Sequence, residues 1–206
     1  QRDTLRARRT RRGIRDDQMD GACSTMSSRS PWTPDSLAAV TAAALSTAGL
    51  WWGTGLQPIW WLTWLAPWPV LAVGARASVP VAAAAAFAAG RGGALNLWRY
   101  EHVVIGMPAT AVLAAAAAPA LAFTLGALLL RALARRGRPL SATLVLPAWG
   151  TALEYLASLV SPHGTFGSLA YTQMDFLPVV QLASLLGPSG ITFLLLLVPS
   201  ALATLG

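Results

Sequence analysis

An apolar run from Ile191 to Leu205 carries no charged side chain, and neither does a longer one from Val103 to Leu130. Runs of this kind leave few folds open. A bilayer accepts them as helices, because a helix closes all its backbone hydrogen bonds within one segment. Only 11% of the 206 residues are charged and 55% are hydrophobic, a balance unlike that of an ordinary soluble domain. The nine Trp fit the same class, since indoles favour the membrane–water interface. The expected fold is all-α: a polytopic membrane bundle of about six transmembrane helices.

The formal net charge of +7 raises the question of nucleic acid. Its distribution argues otherwise. Eight of the fifteen Arg precede Asp35, and four more lie between Arg131 and Arg138. Basic clusters at the feet of apolar spans report topology, so no nucleic-acid partner is expected. With the N-terminus inside, thirteen Arg are cytoplasmic and only Arg91 and Arg99 are outside. This predicts an inner-membrane protein whose loop from Ser161 to Phe176 faces outward and whose Gly206 lies near the cytoplasmic surface. Lys is absent and Ala abundant, which reads as coding bias. Cys23 is the only cysteine, so neither an intrachain disulfide nor a cysteine cluster is possible. Asp16, Asp17 and Asp20 precede it, where a lipidation signal needs an apolar run. Arg8-Arg9 is no twin-arginine signal, since the first apolar run begins only at Ser36.

Residues 1–35 read as a disordered, Arg-rich cytoplasmic tail. Met26, just ahead of the first span, makes a natural start, and a native peptide covering Thr4 to Arg12 would exclude it. Residues 36–206 read as the transmembrane domain, with spans at 36–52, 59–73, 79–97, 103–130, 141–160 and 177–205. The second carries Trp60, Trp61, Trp64 and Trp68 and is bent by Pro67 and Pro69. It covers only about 22 Å, so it thins the bilayer, borrows flanking residues or is re-entrant. The fourth, at roughly 42 Å, needs tilt or a kink at Pro119. In the third, Gly90, Gly92 and Gly93 allow close helix approach, while Arg91 snorkels or faces a neighbouring helix. Gly187-Pro188-Ser189-Gly190 interrupts the sixth.

Polar residues within the spans are the candidate sites. Glu154 lies inside the fifth span, where a carboxylate is costly and is either a functional group or a bond to a neighbouring loop. His163 and Asp175 share the outer loop, and Glu101-His102 lies on another. A His and a carboxylate can form an acid–base pair, but no nucleophile elbow accompanies them, and His163 is expected to order its loop between Pro162 and Gly164. No His pair has metal-ligand spacing, so neither metal nor cofactor is expected. Tyr171, Gln173 and Gln181 either bridge helices or line a groove open to lipid.

Three stretches carry a family resemblance. Trp61-Leu62-Thr63-Trp64-Leu65-Ala66-Pro67 is similar to the second span, and Leu146-Pro147-Ala148-Trp149 through Glu154-Tyr155-Leu156 to the fifth span, of the apolipoprotein N-acyltransferases and their membrane-bound nitrilase-like relatives. The most specific stretch, Gly167-Ser168-Leu169-Ala170-Tyr171-Thr172-Gln173 with Pro178 through Gly187 and Gly190-Ile191-Thr192-Phe193-Leu194, resembles that family's loop and sixth helix. The resemblance implies a membrane part supporting a nitrilase-like, carbon–nitrogen hydrolase domain. There a Glu-Lys-Cys triad passes an acyl chain from phospholipid to a lipoprotein's N-terminal cysteine. No residue here can be assigned to that triad: Lys is missing and Cys23 lies in the tail. The chain is therefore expected to stop before its seventh helix and its catalytic domain. Ser161-Pro162-His163-Gly164-Thr165-Phe166 stands where the family has Gly-Phe-Pro-Trp, which favours a divergent hydrolase branch. Two other readings stay open, a small non-enzymatic membrane binding or transport protein and a gene remnant.

Overall fold

The computed structural model describes residues 34–161 and 163–206; the tail with Cys23 and Met26, and Pro162, lie outside them. Helix α1 runs Pro34–Gly53. Trp52 accepts the Ile59 N–H at 2.8 Å, and Gly53 accepts the Thr63 hydroxyl at 2.7 Å, so the chain turns straight back. The second expected span is broken into α2, Leu62–Leu65, and α3, Trp68–Arg76. Pro67 and Pro69 flank the start of α3 and cannot donate to a preceding turn. The Val70 N–H instead reaches across to the Ser46 hydroxyl of α1 at 3.1 Å.

Helix α4, Val79–Ala94, packs along α1. The contact depends on glycine: a Cβ on Gly93 would lie 2.5 Å from Leu50 Cβ. The fourth expected span starts later than the hydropathy suggests. Tyr100–Val104 is a π-helical turn, the chain turns at Gly106 with φ +81, and α5 begins only at Ala109 and runs to Arg135. Pro108 requires extended backbone before it, which separates the two. Helix α6 is Pro139–Val160, α7 is the short Leu177–Val180, and α8 is Ala183–Leu205. Within α8, Gly187 (φ 65, ψ −177) makes a break directly before Pro188.

Neighbouring helices pack in the order α1–α4–α5–α6–α8, and α3 touches α1, α4, α5 and α8. Leu71 of α3 is buried with Leu130, Ala142, Leu146 and Ala203, from α5, α6 and α8. Val70 packs with Ala86 and Ala89 of α4. Helices α6 and α8 run antiparallel, because Thr143 meets Thr204 at 2.6 Å and Glu154 meets Thr192 at 2.7 Å.

The solvent is read most clearly from α5. Apart from Leu130 near its C-terminal end, its buried face holds Val112, Ala116, Ala120, Thr124 and Gly126, and its outer face exposes Leu113, Leu121, Leu125 and Leu129. Small residues inside and large apolar ones outside invert the pattern of a soluble helix. Helices that pack in lipid show this arrangement, since close backbone approach rather than hydrophobic burial drives their association. Among the described residues three helices, α5, α6 and α8, of 27, 22 and 23 residues, are long and apolar enough to cross a membrane.

Candidate functional site

The loop after α6 folds back over the bundle, turning at Gly164 (φ +59) and Gly167 (φ +86). It then forms a 3-10 turn over Leu169–Gln173, which packs on α8. Two side chains fix it in place.

Glu154, near the end of α6, is the first. Its Oε1 accepts the Leu169 N–H at 2.9 Å, and its Oε2 accepts the Ser168 hydroxyl at 2.9 Å and the Thr192 hydroxyl at 2.7 Å. One carboxylate thereby joins α6, the loop and α8. Three of its roughly four acceptor positions are filled, which offsets the cost of holding a carboxylate there. Ser168 Oγ in turn accepts the Ala170 N–H at 3.2 Å and starts the 3-10 turn.

Gln173 is the second, fully buried. Its Oε1 accepts the Trp64 indole N–H at 2.9 Å, and its Nε2 donates to the Trp60 carbonyl at 3.0 Å and the Thr172 hydroxyl at 2.9 Å. Trp60 also stacks on Phe176, with ring centroids 4.3 Å apart and planes 10° from parallel. Ala170, Ile191 and Leu195 form the apolar floor, against which Trp64 packs. Residues 60–64, the loop and α8 thus form one cross-linked unit.

The other sequence candidates lie around this unit. Tyr171 is exposed, and its hydroxyl meets Thr165 Oγ1 at 2.5 Å. His163 is exposed in the Ser161–Gly164 turn, its N–H donating to Ser161 Oγ at 3.2 Å. Gln181 sits in the turn between α7 and α8 with an exposed side chain, where its carbonyl accepts the Ser184 hydroxyl at 2.7 Å. Asp175 is exposed on the loop. Before α5, His102 Nδ1 lies 2.7 Å from the Met107 carbonyl and its ring sits 5.3 Å from that of Trp98. Burial pushes the neighbouring Glu101 carboxyl above the ordinary carboxylate range. No three of His, Cys, Asp and Glu among the described residues cluster as metal ligands.

Sequence reading did not single out Trp60, Trp64, Ser168 or Thr192. The last three lie within the family-like stretches, but only folding shows that they converge. The geometry is that of a positioning element: the carboxylate beside Ser168 already takes three donors, and among the described residues no imidazole bonds the Ser168 hydroxyl to make a nucleophile–base pair.

An outward stripe of leucines, a core of small residues and a hydrogen-bonded loop clamp define a helical membrane domain. Residues 37–201 match the apolipoprotein N-acyltransferase N-terminal domain, and the chain belongs to that family. No curated protein and no solved structure matches it.

Proposed function

We propose that this chain is the membrane-anchoring and lipid-presenting part of an apolipoprotein N-acyltransferase-like enzyme, one that moves an acyl chain from phospholipid to a lipoprotein or performs a related carbon–nitrogen hydrolysis. The family match over residues 37–201 carries this reading. The Glu154–Gln173 clamp supports it, because it holds a loop in fixed geometry at one end of the bundle, as a platform for a catalytic domain requires. A Glu-Lys-Cys triad would be supplied from outside these residues, which contain no lysine. In this reading the protein spans a bacterial inner membrane six times between residues 36 and 206. The Arg-rich segments lie inside, and Glu154, His163, Tyr171, Gln173 and Gln181 lie toward the outer surface, facing lipid or loop.

The test is the reaction of the complete gene product. Incubated with phospholipid and a diacylglyceryl-cysteine peptide, it is expected to yield a peptide one acyl chain heavier by mass spectrometry. A well-folded product that neither acylates this peptide nor hydrolyses carbon–nitrogen substrates would overturn the proposal. Reading the gene past the codon for Gly206 gives a second test: a basic loop, another apolar span and a Glu/Lys/Cys-bearing domain are expected in frame.

A further inference from the structure

At the opposite end of the bundle from Glu154, about 22 Å away along α6, α3 ends beside α1. A groove of ≈ 230 Å³ opens there, lined by Ala38 of α1 and by Ala72, Val73, Arg76 and Ala77 of α3 and its C-terminus. Among the described residues its walls are small and apolar apart from the Arg76 guanidinium. Arg76 makes a single long bond, Nη1 to the Ala72 carbonyl at 3.4 Å, and is otherwise without a partner among the described residues. Arg131, from α5, donates Nε and Nη2 to the Ala77 carbonyl at 2.9 and 2.7 Å. Its remaining N–H groups have no partner among the described residues. Arg135, Arg136 and Arg138 follow at the same end. Asp35 lies in the first turn of α1. Glu101, Glu154 and Asp175 belong to segments at the other end.

We infer that this groove is a site for an anionic phospholipid, with one acyl chain lying against Ala38, Ala72 and Val73 and the headgroup phosphate bound by Arg76 and the free donors of Arg131. A membrane domain offers such a groove to lipid before any other molecule, and basic pockets between helices select anionic headgroups. The planar guanidinium suits phosphate because it donates in a fork. The excess of positive charge among the described residues at this end favours a negative headgroup over a zwitterionic one. This lipid is an anchor, distinct from any acyl donor near the Glu154 loop, and the inference holds whichever reaction the family membership brings.

The experiment is native mass spectrometry of the chain released from bilayers of equal phosphatidylglycerol and phosphatidylcholine. Preferential retention of one phosphatidylglycerol is expected. Arg76→Gln should lower it about fivefold, the share of one arginine at an anionic surface. Val73→Trp, which fills the groove, should lower retention of both lipids. Arg99→Gln removes the same charge from an exposed position elsewhere and should change nothing. Circular dichroism shows whether each variant stays helical, and Arg76→Gln, on an exposed bond, decides the matter if Val73→Trp misfolds. Equal retention of the two lipids overturns the inference. So does an equal loss in Arg76→Gln and Arg99→Gln, which would mean diffuse charge, or full displacement by millimolar inorganic phosphate, which would mean that no acyl chain is held.

Discussion

The two ends of the bundle are built on opposite principles. At the Glu154 end, polar side chains satisfy one another: a carboxylate takes three donors, and a buried amide takes a tryptophan N–H while giving two bonds of its own. At the Arg131 end, among the described residues, the Arg76 and Arg131 guanidinium groups bond backbone carbonyls and have further donors without a partner. A closed network fixes geometry, whereas an open one is available to a ligand. The difference teaches that intramembrane or near-membrane charge is not by itself evidence of a reaction. What matters is whether its hydrogen-bonding capacity is already spent.

Substitutions should separate the two ends. Glu154→Ala, which strands Ser168, Thr192 and the Leu169 N–H, should have the largest effect, about 3–5 kcal/mol of stability. Thermal unfolding in detergent measures it, together with faster proteolysis of the 161–176 loop. If stability were unchanged while lipid binding was lost, the clamp would be a ligand site instead. Gln173→Leu should cost about 2–3 kcal/mol by leaving the Trp64 N–H and Trp60 carbonyl unpaired, with a shift in tryptophan emission that is absent in a Trp64→Phe background. Arg131→Met should cost less, about 1–2 kcal/mol, since it removes a cation from the carboxyl end of α3 and two donors from a carbonyl that water can partly reach. A larger loss than in Gln173→Leu would reverse the contrast between the ends.

Two smaller effects sharpen the picture. The Thr151 hydroxyl, one turn before Glu154, is buried without a partner among the described residues. Thr151→Val should therefore stabilise the domain by about 1 kcal/mol, and a destabilisation would mean that this hydroxyl has a partner in the membrane. Glu101 has its folded carboxyl pKa raised by burial. The folded state then binds the proton more tightly than the unfolded one, so stability falls as pH rises from the unfolded pKa through the raised folded value. Glu101→Gln should flatten that slope in a pH series of melting curves.

Much of this was legible in the residues. The apolar runs, the Trp and the scarcity of charge lead to a helical membrane bundle, and Pro67, Pro69 and the Gly187–Gly190 stretch mark breaks at or near where they occur. Gly167–Gln173 with Pro178–Leu194 carries the family. Helix boundaries were less legible around Val103, where hydropathy runs on unbroken but Gly106 and Pro108 divert the backbone before α5. Hydropathy averages over a window, while a single φ of +81 stops a helix.

Sequence alone thus determined the class of solvent, the helical composition and the family, because these follow from local periodicity, charge and motif. Only the tertiary structure decided what Glu154, Gln173 and Arg131 do. Their partners lie 14 to 38 residues away for Glu154, 109 and 113 for the Gln173 bonds to Trp64 and Trp60, and 54 for Arg131. A polar side chain in a low-dielectric interior takes its role from whichever donors packing brings within 3 Å or so of it, and no local pattern encodes that meeting.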